Sequence, residues 1–242
     1  MYLQSIPLLK YPRTPHLEGS RLQEGDTASD QAPLSVLNRR HVVIEEKIDA
    51  ANSGLSFNGA GDLLLQSRGH YLAGGANERQ FNLFKVWAAA HEPALLDRLE
   101  DRYVMYGEWS YKKHAIFYDN LPHLFHEFDI YDRATGRFLS TPRRHALLAG
   151  LPVLSVPVLY AGPGPVADAQ LRKLVRHSLA KTHRWKAEFE KAVADEDLPL
   201  TMTWNQTDVS NMSEGLYIKV EDENEVLARF KFVRQEIGRA HV

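Results

Sequence analysis

At 242 residues with 44% hydrophobic and 25% charged content, the chain has the composition of an ordinary globular protein and can bury a substantial core. A net charge of −2 provides no global basic footprint, so contact with nucleic acid has to come from a local patch. Zero cysteines exclude disulfides and thiolate chemistry and argue against the common structural zinc site. No apolar run reaches the roughly 18 residues a membrane span needs, and the N-terminus lacks the long apolar region of a signal peptide. A cytoplasmic chain with no membrane attachment is expected.

Residues 1–40 carry Pro7, Pro12, Pro15, Gly19, Gly25 and Pro33 and read as an irregular arm. Its Lys10, Tyr11, Arg13 and His16 leave two roles open, phosphate contact and plain structure. In residues 41–54, HVVIEEKIDAANSG, the apolar Val42, Val43 and Ile44 lead into Glu45, Glu46 and Lys47 and then a turn-prone stretch. That pattern predicts a strand that delivers one lysine to a pocket and stops. Taken alone, a lysine among acids is ordinarily a solvated residue.

Residues 55–57 and 63–69 flank the cluster Asn58-Gly59-Ala60-Gly61-Asp62 and predict a hairpin, with Arg68 at the exit of its second strand. Residues 80–99 place Phe81, Phe84, Trp87, Ala88, Leu95 and Leu99 at mostly helical spacing, interrupted near Pro93, and predict a core-packing helix. Residues 102–109, RYVMYGEW, and 124–132, LFHEFDIYD, are further strands, joined by a loop dense in His, Lys and Tyr. A turn at Ala134-Thr135-Gly136 follows.

Residues 151–160 read as another strand, and 167–196 as one long or two short amphipathic helices with a basic polar side. A solvated face is the commoner meaning of such a side; tracking a phosphate backbone is the alternative. Residues 214–220 and 226–234 form a final hairpin whose alternation puts Arg229, Lys231 and Val233 together.

Taken in order, EEKIDAANSG, SRG, YGEW, EFDIYD, EGLYIK and RFKFVR resemble the covalent nucleotidyltransferase superfamily of ATP-dependent ligases and capping enzymes, most closely the RNA ligase 2 branch. The lysine signature is weak by itself; six segments in the right order, from the lysine strand to Arg234, are specific. The resemblance implies an α+β fold: an ATP-grasp-like ligase (nucleotidyltransferase) domain over 41–242, with two antiparallel sheets forming a nucleotide cleft and helices flanking them. The arm 1–40 packs on that domain, with no separate C-terminal domain.

The implied activity is ATP-dependent ligation of RNA 3′-hydroxyl and 5′-phosphate ends through a lysyl-AMP intermediate. ATP and Mg²⁺ (or Mn²⁺) are the implied cofactors. RNA ends or a nicked duplex are the implied partners, with a protein partner supplying extra grip as a further option. By the same resemblance Lys47 is the nucleophile, Glu46 and Arg68 contact the nucleoside, and Glu108 holds the ribose. Phe128 stacks on adenine, Glu214 serves the metal or the attacking group, and Lys231 holds the α-phosphate. Asn52, Asp49 and Arg229 complete the nucleotide-binding set. A capping-type guanylyltransferase and a catalytically idle module that binds nucleotide or nucleic-acid ends are the alternatives.

The chemistry sets a condition on the site. An ordinary lysine has a pKa of about 10.4, so presenting it neutral at pH 7 costs about 4–5 kcal/mol. Alternation along the strand puts Glu45, Lys47 and Asp49 on one face, and acids hold the lysine's proton more tightly. Mg²⁺, Lys231 and Arg229 are expected to counter them.

The same pleat turns Glu46 away from Lys47, a conflict with the resemblance that a strand ending at Lys47 removes. On its own surroundings Phe128 reads as a core aromatic. Glu108 and Glu214 each adjoin a glycine, expected to let a ligand approach closely. Three departures stand out: Ala50 replaces the signature's glycine; the usual lysine pair is Arg229 with Lys231, or Lys231 with Val233, leaving Arg234 a further candidate; and few residues follow Arg234.

Overall fold

This computed structural model describes residues 7–22, 26–27, 31–164 and 167–235. Two short strands come from the arm, β1 (His16–Leu17) and β2 (Gln31–Ala32). The apolar run of the lysine segment becomes β3 (His41–Lys47), followed by the hairpin β4 (Ala51–Phe57) and β5 (Leu63–Ser67). Helices α1 (Asn82–Ala90) and α2 (Glu92–Leu99) come next. The expected single helix breaks at His91, and Pro93 sits in the first turn of α2, where its missing N–H leaves no hydrogen bond unmade.

Strands β6 (Tyr103–Trp109), β7 (Phe125–Asp132) and β8 (Arg137–Phe138) precede α3 (Thr141–Leu148). Then follow β9 (Leu154–Ser155), β10 (Val158–Pro163), α4 (Asp168–Leu174), α5 (Trp185–Asp195), α6 (Leu200–Asn205), β11 (Gly215–Glu221) and β12 (Val226–Val233). Where one strand was expected over 151–160 there are two, in different sheets. β9 pairs with β7 and β10 with β3. Between them Pro157, which has no N–H for a ladder, lies at the crossing from one sheet to the other.

The first sheet has the order β10-β3-β11-β12-β1-β2 and the second β5-β4-β6-β7-β8, with β9 beside β7. Antiparallel pairing dominates, as expected, but β1 runs parallel to both β12 and β2, and β9 parallel to β7. Period-2 alternation gives β3 two faces. Val42 and Ile44 join Leu216, Ile218, Phe232, Leu171 of α4 and Val175 just after it in the core of the first sheet. Beneath the second sheet, Leu55, Phe57, Trp109 and Phe125 pack on Phe84 and Leu99 from α1 and α2.

Between the sheets lies a buried ionic network rather than a purely apolar layer. Arg144 of α3 reaches Glu45 of β3 at 2.8 Å and Glu127 of β7 at 3.3 Å, and Lys219 of β11 reaches Glu45 at 2.9 Å and Asp129 of β7 at 3.3 Å. All five side chains are fully buried. Buried charges persist only when paired, and here the pairing ties β3 and β11 to β7. Among the described residues, no helix is long and apolar enough to cross a membrane.

Candidate active site

Lys47 is the last residue of β3 and stands opposite Gly215, the first residue of β11. Its Nζ donates to the carboxylate of Glu214, immediately before β11. Glycine at 215 is dictated by the neighbouring strand: a Cβ there would lie 2.1 Å from the Phe232 carbonyl oxygen. Gly107, beside Glu108, is likewise closed in, since a Cβ would meet the Phe125 ring at 2.5 Å and the His126 carbonyl at 2.6 Å. Both glycines therefore serve strand packing, and the acids beside them are aimed by tightly set backbone. The turn at Ala50 avoids positive φ, so alanine is accommodated there.

A cavity of about 530 Å³ opens where the two sheets meet. Lys47, Glu214 and Lys231 enter it from the first sheet's side, and Asn52, Arg68 and Glu108 from the second, with Asp49 between them. Register explains the second group: Asn52 and Glu108 are cross-strand partners on β4 and β6. Asp49 also docks the loop over 110–124. Its Oδ2 accepts the amides of Ala115 and Ile116 at 2.8 and 3.1 Å, its own amide donates to the Tyr118 hydroxyl at 2.8 Å, and His114 Nδ1 lies 3.6 Å from Oδ1.

Thr14, Phe81 and Tyr217 also line the cavity and carry no signal in the sequence that marks them. Tyr11 and His114 do so too. Their segments, the arm and the His-rich loop, were conspicuous by composition alone.

Three acids around one lysine set the electrostatics. Burial pulls the Lys47 ammonium toward neutrality, but Glu214, Glu108 and Asp49 outweigh it, and its pKa stands above the ordinary lysine value. Burial pushes the Glu108 carboxyl up to about 8, against the pull of Lys47 and with Glu214 and Asp49 adding to the rise. One Glu108 oxygen, Oε2, is buried without a hydrogen-bond partner. Glu214 is also raised by burial, with Lys47 opposing. Asp49 is held below its usual range despite burial, chiefly by the neighbouring His114 and the charge of Lys47. Burial lowers the Lys231 ammonium; Asp26 opposes this and Lys47 adds to it.

Three cations, Lys47, Arg68 and Lys231, thus share the cavity with three acids, Asp49, Glu108 and Glu214. Among the described residues, no group of three or more His, Asp or Glu is placed to hold a metal ion. Mg²⁺ typically takes one or two carboxylates, with phosphate oxygens and water completing its shell. Glu214 suits an ion that arrives with phosphate, and no resident all-protein cage is present among the described residues.

Three of the expected site residues stand outside the cavity. Glu46, on the opposite face of β3, accepts from the Ser178 hydroxyl and, at 3.1 Å, from the Leu179 amide. Phe128 is packed edge-on against Tyr11 at 4.9 Å and lies 5.7 Å from the Tyr217 ring. Arg229 lies 3.7 Å over the Phe138 ring and 3.9 Å from Asp129. Arg234, the further candidate, is paired with Asp208.

A family model described as RNA ligase matches residues 40–233. No curated protein sequence matches the chain. Among solved structures, a variant of the Naegleria gruberi RNA ligase with ATP and Mn is similar at 18% identity and a TM-score of 0.52, covering 83% of this chain and 51% of that one. The same ligase with PPi aligns at 17% identity and a TM-score of 0.51, over 94% and 61%. An archaeal ATP-dependent RNA ligase aligns at 16% identity and a TM-score of 0.52, over 93% and 48%. The chain thus spans about half to three-fifths of the length of these structures, and at such identities the likeness is one of fold. The family match runs from the residue before β3 to the last residue of β12 and takes in the lysine, the flanking acids and the final hairpin: the chain belongs to the RNA ligase family.

Proposed function

We propose that this chain performs ATP-dependent RNA ligation, with Lys47 accepting the adenylyl group. The observation that carries the reading is the placement of Lys47 at a strand end, against Glu214, in a cavity it shares with Arg68, Glu108 and Lys231. In the first step the neutral Nζ attacks the α-phosphorus of ATP, a P–N bond forms, and the bond to pyrophosphate breaks with its electron pair. Glu214 holds the Lys47 ammonium in place, and the proton passes to solvent before the attack. A divalent cation held through Glu214 would supply further positive charge to the phosphates.

Lys231 anchors the α-phosphate, and Asn52 and Arg68 hold the nucleoside end on the second sheet. The unpartnered Glu108 oxygen accepts a ribose hydroxyl, which satisfies a buried acceptor that otherwise costs about 1–3 kcal/mol. Glu46, Phe128 and Arg229 support the wall of the site from behind. AMP then passes to a 5′-phosphate end, the end's oxygen displacing Nζ. A 3′-hydroxyl attacks that activated phosphate, the phosphodiester forms, and AMP leaves.

Incubation with labelled ATP or GTP in Mg²⁺ or Mn²⁺ tests the reading. Covalent label from ATP alone, lost in Lys47→Ala, is expected. Label from GTP alone would make the chain a capping-type guanylyltransferase, and no label from either would leave an idle binding module. Sealing of nicked duplexes with RNA or DNA on each side of the break then identifies the strand it accepts, RNA being expected.

A further inference from the structure

The arm lies outside the family match, which begins at residue 40, yet it crosses from one sheet to the other and reaches the cavity. On the second sheet's side, the Leu9 carbonyl accepts from the Tyr106 hydroxyl at 2.7 Å and from the Gln66 side chain at 3.0 Å. On the first sheet's side, His16 is the parallel partner of Lys231, and the Lys231 amide donates to the Pro15 carbonyl at 2.9 Å. Without β1 that edge of β12 has no neighbour, and the backbone bearing Lys231 is unpaired on one side.

Between these anchors sits Thr14, buried and part of the cavity wall. Its Oγ1 lies 2.6 Å from the hydroxyl of Tyr217. Tyr217 stands two residues beyond Gly215 on β11 and is the cross-strand partner of Lys231, and its ring faces the same cavity as Lys47. The Tyr217 ring packs beside Phe128 at 5.7 Å, and the Thr14 hydroxyl holds its far end.

We propose that the arm is a working wall of the nucleotide cavity and that Thr14 is a positioning residue, holding Tyr217 so that the cavity keeps the shape that receives the nucleotide. This rests on the ligase reading for the identity of the ligand, and goes beyond it in assigning affinity for that ligand to a segment the family match does not include.

The test compares full-length wild type, Thr14→Val, Thr14→Ser and Tyr217→Phe. Equilibrium ATP binding is measured in a metal chelator, where no transfer occurs, and labelling kinetics are measured with Mg²⁺. Loss of one neutral hydrogen bond predicts that Thr14→Val binds ATP about fivefold more weakly and raises KM by a similar factor at unchanged maximal rate. Thr14→Ser, which keeps the hydroxyl, restores wild-type affinity. Tyr217→Phe matches Thr14→Val, and the double variant is no weaker than either single one. Thr14→Val binding ATP as wild type does, or Thr14→Ser losing as much as Thr14→Val, would overturn the proposal. Wild type that binds ATP but takes no label would overturn the ligase reading alone, and the binding comparison would still decide this one. Wild type that binds no ATP would overturn both.

Discussion

Lys47 is the residue on which the proposed chemistry turns, and its surroundings hold its proton rather than release it. Burial acts to deprotonate it, but Glu214, Glu108 and Asp49 prevail. The rate of adenylylation should therefore climb steeply with pH, roughly tenfold per unit between about pH 6 and pH 8, as the neutral amine becomes more abundant. Single-turnover labelling across that range checks it; a flat profile would mean the amine is already neutral.

Glu108 gives a second, chemistry-free reading of the same charges. Its folded pKa of about 8 lies above the ordinary glutamate value of 4.5, so the folded state binds more protons between those limits. Stability must fall as pH rises through that window. Glu108→Gln cannot ionise, and its melting temperature should gain on wild type from pH 5 to pH 8, by on the order of 2 kcal/mol in stability. A gap that stays constant with pH would assign the perturbation elsewhere.

Elements set by continuous or alternating apolar runs were legible in the sequence, and their placement of side chains followed. β3 ends at Lys47 as expected, yet this does not bring Glu46 to the cavity: it still points away, as the pleat requires, and bonds to Ser178 and Leu179. The strands over 102–109 and 124–132 and the final hairpin lie within a residue or two of the positions expected, and seven of the ten expected site residues line one cavity.

Phe128 and Arg229 were legible as residue types but not in place. Tyr11, more than a hundred positions away, packs on both of them, and no local pattern encodes that contact. The parallel strand β1 spans two residues, too short for any periodicity, and its partner Lys231 lies at the other end of the chain. Helices α3 and α6, of eight and six residues, are likewise too short for a helical period to show.

The glycines were legible for the wrong physical reason, since neighbouring strands rather than ligand demand them. Gly215→Ala pushes a Cβ into the Phe232 carbonyl and should cost about 2–4 kcal/mol in urea unfolding while displacing Glu214. Wild-type stability in that variant would show that β11 and β12 can part at no cost.

At the scale of the whole molecule, the two sheets share a charged interior. Arg144, Glu45, Glu127, Lys219 and Asp129 join α3, β3, β7 and β11, so the strand that carries Lys47 is fixed to the opposite sheet. Removing one member of such a set leaves its partners buried and uncompensated. Arg144→Met should cost about 3–5 kcal/mol, read from urea denaturation followed by tryptophan fluorescence. A loss below about 1 kcal/mol would mean that the sheets are held together by their apolar contacts alone. The arm spans the same junction from outside, anchored at Tyr106 on one sheet and at Lys231 on the other.

In the proposed reaction the cavity at that junction serves to make a single covalent bond. Incubation with ATP and Mg²⁺, proteolysis and mass spectrometry of the peptides locate that bond directly. The peptide containing Lys47 should carry one adenylate, and no other peptide should. Adenylate on Lys231 or Lys219, or on none of the peptides while the chain binds ATP, would contradict the account.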